Sequence, residues 1–443
     1  MAYDLNRVIQ VIEDGLSEGI FPGIVILIKR RGRVVLYEAF GYAEQVPKER
    51  SMEKTMIFDL ASLTKVMATL PAVLRTVEQG KLGLEDPVSR YVSGWLSKNQ
   101  ATGDEVHAQK AAVTIHHLLI HTSGLPAWRP YYLVARSGEA YEALIAAEPL
   151  AHAPGARVVY SDLGFILLGR ILERIWDRPL DEVARLLVFD PLDLKDTGYR
   201  RLSLLRACAA GDSQVGDGEA GDDEAGAVPF LQRPRSQFVA TERMNGYERQ
   251  AAESFVAQFP QESSMTAQGA GGGQSDIRFC PTLDDVARLP WRTGTICGEV
   301  HDGNAYYGLH GVSGHAGLFS TAQDVAAYLS MWRDRGRVGR RNFLSESIVR
   351  YATQNHTAHL NSARALGFEA APTQGTPAWE GGCSAGTAAS SGAFGHTGFT
   401  GTSMWYDPHT DTEVVALTNR VHPYPREGIV PWRRKLHAAA FGK

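Results

Sequence analysis

The segment after Phe21-Pro22-Gly23 constrains this chain most: an apolar run, GIVILIKR, a turn at Arg30-Arg31-Gly32, and a second run, VVLYEAFGYA. Two extended stretches joined by so short a turn read as a β-hairpin. Runs such as 24–28 and 165–168 are the longest apolar stretches, far short of the ~20 residues that cross a bilayer. No membrane span is expected. At 443 residues and 44% hydrophobic content, the chain can form two or three structural units around a large core without disulfide or metal staples. Its 45 basic and 49 acidic side chains give a net charge of −4, which supplies no basic field for a nucleic-acid partner. The opening, MAYDLNRVIQVIEDGLSEG, reads as an amphipathic helix rather than a secretory leader. The expected location is cytoplasmic, or periplasmic if a leader has been removed. Cys208, Cys280, Cys297 and Cys383 are scattered, never in C-x-x-C spacing, and read as free thiols with no zinc site.

Residues 62–80 place Val66, Leu70, Val73, Leu74 and Val77 on one helical face, with Gly80 closing the helix and Pro71 expected to bend it. Between 85 and 199 the pattern is mostly helical, with candidates at 116–121, 139–148, 161–175 and 180–188. The stretch 211–273 is acidic and glycine-rich at its two ends and reads as long surface loops. Its carboxylates lack the D-x-[DN]-x-[DN]-G spacing of a calcium loop, and GAGGG is not followed by G-K-[ST]. Beyond 311 a helix is expected at 321–336, strands through 396–406 and 413–419, and a terminal helix from 428. The reading is therefore an α/β (α+β) protein with an antiparallel sheet flanked by helices. Residues 1–84 and 291–443 form the sheet domain, 85–205 a helical subdomain, and 206–290 a loop-rich insertion.

Ser62-Leu63-Thr64-Lys65 sets a serine and a lysine one helical turn apart. At an apolar helix start, burial and the helix dipole would lower the lysine pKa and let it take the serine proton. A second S-x-x-K, Ser51-Met52-Glu53-Lys54, sits in a polar segment where its lysine is solvated and paired. Two further patterns stand with Ser62. Tyr160-Ser161-Asp162 opens the apolar helix LGFILLGRILERI, and His396-Thr397-Gly398 lies in a glycine-rich strand that can leave backbone N–H groups open for an oxyanion.

Other constellations read as structural. His117 and His121 have metal-like i, i+4 spacing but lack the glutamate of H-E-x-x-H. His301, Asp302, His310 and His315 share one loop that is read as satisfying its own backbone. The Ser384 of Gly382-Cys383-Ser384-Ala385-Gly386 has small, polar flanks where a nucleophile elbow needs a strand and a helix.

The order S-x-x-K, Y-S-[ND], [KH]-T-G resembles the penicillin-binding and class C β-lactamase-like serine hydrolases. TIHHLLIHTSGLP, PGARVVYSDLGFILLGRILE, PLDLKDTGY and GVSGHAGLFSTAQDVAAYL are similar to that family's connecting segments. The resemblance covers roughly 1–205 and 291–443, and 245–290 has no counterpart. It implies a β-lactamase/transpeptidase-like fold, with Ser62 as nucleophile, Lys65 as its base and Tyr160 relaying the proton to the leaving group. It also implies His396, Thr397, Gly398 and Asp162 as substrate-binding residues, and an oxyanion hole from the N–H groups of Ser62 and Phe399. The implied substrate is a small ester, amide or β-lactam, cleaved through an acyl-enzyme with no cofactor and no metal. Where relatives carry asparagine this chain has Asp162, an acceptor-only anion, which weighs against efficient β-lactam hydrolysis. Alternatives are a D-alanyl carboxypeptidase or endopeptidase, and a catalytically silent ligand-binding protein.

Overall fold

In the first strand of the expected hairpin, alternate side chains go to opposite faces, and both faces are covered. The computed structural model describes residues 4–97, 104–203, 230–260, 264–267, 276–376 and 383–442. Strand β1 (Gly23–Arg30) pairs antiparallel with β2 (Arg33–Glu44) on one side and with β7 (Thr412–Thr418) on the other. Together with β3 (Arg50–Ser51), β4 (Glu369–Ala370), β5 (Phe394–Thr397) and β6 (Ser403–Asp407) these make a seven-stranded sheet ordered β4-β5-β6-β7-β1-β2-β3. The two chain ends thus meet in adjacent central strands.

Ile24, Ile26 and Ile28 point to one face, against helices α1 (Leu5–Ser17) and α7 (Ile429–Ala440). There Phe21 meets Trp432 edge-on at 4.6 Å, and Trp432 Nε1 donates to Val11 O at 2.8 Å. Val25 and Leu27 point to the other face, against helix α6 (Ala322–Arg333) and a larger core. Burial on both sides is why this strand reads as a continuous apolar run. Each such aliphatic side chain contributes roughly 1.5–3 kcal/mol by leaving water.

The larger core continues from the sheet into the helical part of the chain, where helices α2 (Leu70–Glu78), α3 (Gly138–Ala147) and α4 (Asp162–Trp176) pack. Before α2 lies a π-helical turn, Lys65–Thr69, in which Leu70 N–H reaches back to Lys65 O. This wider turn takes up the place where Pro71 was expected to bend the helix, and π turns favour functional sites. Where long loops were expected, residues 246–258 form helix α5 (Gly246–Gln258), and Met265–Ala267 pairs with Ile277–Phe279. Phe255, Phe259 and Phe279 pack together there, and Phe279 also meets Tyr131 at 5.0 Å. The acidic stretch 211–226, the GAGGG run and Cys208 lie outside the described residues.

No helix of the described residues is long and apolar enough to cross a membrane.

Candidate active site

Ser62 stands on a turn held from several directions. A short ladder pairs Phe58–Asp59 with Leu318–Ser320, and Leu60 N donates to Leu318 O at 2.9 Å. The buried Asp59 carboxylate accepts from Ala61 N at 2.8 Å and His301 N at 2.7 Å. Thr400 and Thr402 donate to the Asp59 and Leu60 carbonyls at 2.8 and 3.0 Å. This frame keeps Ala61 at φ 46°, a left-handed conformation that is costly for alanine and is found where surrounding structure over-determines the backbone. Asp59 was not singled out from sequence, because its role depends on partners, His301 and Thr400, that are distant in the chain.

Lys65 is fully buried. Its Nζ donates to Ser62 Oγ and to His315 O, both at 3.1 Å, and lies 2.8 Å from Asp162 Oδ1. It also sits 5.0 Å above the Tyr160 ring. Burial pulls the ammonium down, but the Asp162 carboxylate and then Tyr160 outweigh it, so the Lys65 pKa stands above its ordinary value. That reverses the lowering expected from the sequence. No carboxylate follows within two turns of the tetrad, yet the tertiary fold delivers one.

Helix α4 supplies both Asp162 and, just before its start, Tyr160. Ser161 caps it by accepting from Gly164 N at 3.4 Å, while donating to Pro126 O at 2.6 Å. Tyr160 Oη is buried beside Lys65 without a well-formed hydrogen bond. The ring of His121 lies 4.5 Å from that of Tyr160, and that of His396 5.9 Å. His121 Nδ1 accepts from Ser161 N at 3.1 Å, so its proton is on Nε2. His396 Nδ1 donates to Thr397 O at 2.8 Å, leaving Nε2 as an unpartnered acceptor. Both imidazoles are held neutral, their pKa values pushed well below the ordinary one by burial and then by the Arg364 charge. The metal-like pair seen in sequence therefore separates: His117 Nδ1 accepts from Thr114 N and caps its helix, while His121 faces Tyr160.

Beyond β5, Gly398 is packed so closely that a Cβ would come within 2.4 Å of Leu60 O and 2.2 Å of Thr402 Oγ1. Only glycine fits, and it brings Phe399 toward Ser62. Neither Ser62 N–H nor Phe399 N–H makes a hydrogen bond among the described residues.

Ser62, Tyr160, Asp162, His396, Thr397, Gly398 and Phe399 line one cavity of about 610 Å³. Its walls also include His301, Asp302 and His315, three of the four loop residues read from sequence as structural. The fourth, His310, turns away to Arg136 O at 2.9 Å. His315 Nε2 meets Asp302 Oδ1 at 3.0 Å and Ser313 Oγ meets His315 Nδ1 at 2.7 Å, so this loop both satisfies itself and steadies the carbonyl that receives Lys65. Arg364 also lines the cavity, 5.3 Å from the Tyr160 ring, with no ion pair among the described residues. Ser384 lies elsewhere in the fold's bonding: it donates to Glu369 Oε2 at 2.6 Å and accepts from Trp405 Nε1 at 3.2 Å. Among the described residues no group of three histidine, cysteine or acidic side chains is arranged to hold a metal ion.

A family model described as Beta-lactamase matches residues 8–439. An N-acetylmuramyl-L-alanine amidase of Bacillus subtilis (strain 168) is 32% identical over 432 residues, 94% of this chain and 81% of that protein. A protein of Escherichia coli (strain K12) carrying the provisional name D-alanyl-D-alanine carboxypeptidase is 27% identical over 94% of this chain and 82% of its own length. Among solved structures, EstCE1, a hydrolase with promiscuous acyltransferase activity, superposes with a TM-score of 0.63 over 99% of this chain and 98% of its own, at 24% identity. A penicillin-binding protein homologue from Caulobacter crescentus gives 0.60 at 17% identity, over 98% and 96%.

Proposed function

The chain belongs to the Beta-lactamase family and is a serine hydrolase of that type, and from this premise we propose that it cleaves amides of the N-acetylmuramyl-L-alanine kind through an acyl-enzyme on Ser62. The observation that carries the chemistry is the Lys65 ammonium, buried between Ser62 Oγ, Asp162 and Tyr160, three residues that line the cavity. The amidase of B. subtilis, similar over 94% of the chain, supports the substrate class.

In this reading the reactive form is the fraction in which the Lys65 ammonium has released its proton to bulk water; the free amine takes the Ser62 proton while Oγ bonds to the substrate carbonyl carbon. The carbonyl oxygen becomes an anion held by the Ser62 and Phe399 N–H groups. When the C–N bond breaks, the leaving amine takes its proton from Tyr160 Oη, which recovers one from Lys65. Water then cleaves the ester by the same steps reversed. His396 and His121, both neutral, orient Tyr160 without adding charge. Because Asp162 is bound to Lys65 and has no amide hydrogen to offer, β-lactam turnover is slow.

Release of L-alanine from N-acetylmuramoyl-L-alanine, with an acid-trapped acyl group mapped to Ser62 by mass spectrometry, is the expected result. Absence of both overturns the reading. The D-alanyl carboxypeptidase alternative is supported by the similarity to the E. coli protein that carries that provisional name; Arg364 near Tyr160 suits the free carboxylate beside the leaving amine in either substrate. D-Alanine release from a pentapeptide, in place of L-alanine release, would select it.

A further inference from the structure

Helix α5 belongs to the stretch for which the sequence offered no family counterpart, yet it forms one wall of the Ser62 cavity through Tyr247, Glu248 and Ala251. The wall is rigidly placed. At the start of the helix Asn245 accepts from Arg292 Nε at 2.9 Å and Tyr307 Oη at 2.8 Å, and Tyr247 N donates to Glu242 Oε1 at 2.7 Å. Glu242 in turn meets His301 Nε2 at 3.0 Å. The far half of the helix rests on Trp128 through Phe255, ring centroids 5.9 Å apart.

Two kinds of group face the cavity from this side. Tyr247 is 44% exposed and packs against Phe399 at 4.9 Å, and Trp128 lies next to Ala127, whose carbonyl receives Asp162 N. Two carboxyls line the same cavity. Glu248 is only 7% exposed, its carboxyl lies beside Tyr132 and Gly303, and its Oε1 makes no hydrogen bond of good geometry among the described residues. Asp302, from the opposite loop, has one oxygen engaged with His315. Aromatic faces accept the C–H surface of a pyranose ring, and carboxyl oxygens accept its hydroxyls.

We propose that Trp128, Tyr247, Phe399, Glu248 and Asp302 form a saccharide subsite that holds the sugar of the acyl group, an assignment that rests on the amidase reading above. A cationic ligand fits the same wall poorly. Arg364, Arg420 and Arg433 line the cavity and Lys65 is buried behind Ser62, so an ammonium group would enter a field already rich in positive charge. Burial, and then the Asp302 carboxylate, push the Glu248 carboxyl above its ordinary value, which favours a protonated form that can donate to a hydroxyl. Burial works against Asp302 as an anion, but His315 and the Ala305 N–H hold it below its ordinary value.

The test uses the intact protein and free acids, so it does not depend on turnover. N-Acetylmuramic acid and D-lactic acid share the carboxylate end and differ by the sugar. Titration followed by tryptophan fluorescence and calorimetry should give at least about tenfold tighter binding of N-acetylmuramic acid, the free-energy equivalent of one or two good contacts. Tyr247→Ala should cut that ratio to about threefold or less, while Tyr247→Phe, which keeps the ring, restores it. Glu248→Gln should lower it by a few-fold. Equal binding of the two acids by the unaltered protein, or a ratio indifferent to Tyr247→Ala, overturns the subsite. The two readings fail separately. Selective binding of the sugar acid without L-alanine release keeps the subsite and removes the amidase assignment, whereas L-alanine release with equal binding does the reverse.

Discussion

The chain contains the tetrad S-x-x-K twice in neighbouring segments, and the two copies have opposite fates. Lys54 lies at the surface, 44% exposed, and meets Glu38 at 3.1 Å, itself 49% exposed. Lys65 has no exposed surface and meets Asp162 at 2.8 Å. The spacing of serine and lysine is shared; the solvent is not. Water screens the first pair, and exposed pairs of that kind are worth ~0.2–1 kcal/mol. The second pair works in a medium where an unpaired charge is costly, so the carboxylate raises the pKa of the lysine. Reactivity follows from that control rather than from the motif.

The comparison predicts its sharpest contrast at the two serines. Ser62→Ala should reduce hydrolysis by about 10⁴-fold or more, while Ser51→Ala leaves kcat/KM unchanged. Turnover surviving in Ser62→Ala would erase the distinction altogether. Next in size, Tyr160→Phe removes the hydroxyl that faces Lys65 and should slow the chemical step by about 10²–10³-fold. A fall in kcat with little change in KM is the pattern expected, and a pure KM effect would assign Tyr160 to binding.

Asp162→Asn probes the charge on Lys65 itself. Since the Lys65 pKa is raised, the pair's stabilisation is complete below the ordinary lysine value of 10.5 and is lost only as pH climbs through the higher folded value. Without the carboxylate the lysine should lose its proton at lower pH. The ascending limb of the rate profile then moves toward acid, and thermal or denaturant unfolding near neutrality should show a loss of about 3 kcal/mol. A rate profile that stays in place would mean that another group titrates. At the small end, Glu38→Ala breaks the surface pair and should change stability by less than about 1 kcal/mol, with no effect on the rate profile. A larger loss would show that exposure is not what separates the two tetrads.

Much of the frame was legible in advance. The run at 24–28 gave a strand because an unbroken aliphatic stretch of that length, bounded by turns, has few other uses, and helix α4 was expected at 161–175 and observed at Asp162–Trp176. Helix α5 was not anticipated. The acidic and glycine-rich ends of 211–273 dominated its composition, and the residues that anchor the helix, Arg292 and Trp128, lie outside that stretch. Around the cavity, His121, which packs on Tyr160, was noticed only for its spacing to His117, and Asp302 and His315 sat in a loop that could line the cleft but was read as structural. Arg364 and Glu248 carried no local signal, because neither belongs to a short motif.

By itself, the sequence marked Ser62, Lys65, Tyr160 and His396 as candidates for the chemistry and indicated roughly which strands and helices present them, since those depend on residue type and on periodicity within a few turns. The tertiary structure alone decided what surrounds each group: that Asp162 reaches Lys65, that two histidines beside Tyr160 are neutral, and that helix α5 forms one wall of the cavity. The physical reason is that local patterning acts over a few residues, whereas burial and Coulomb energies depend on atoms brought within a few ångströms from distant parts of the chain.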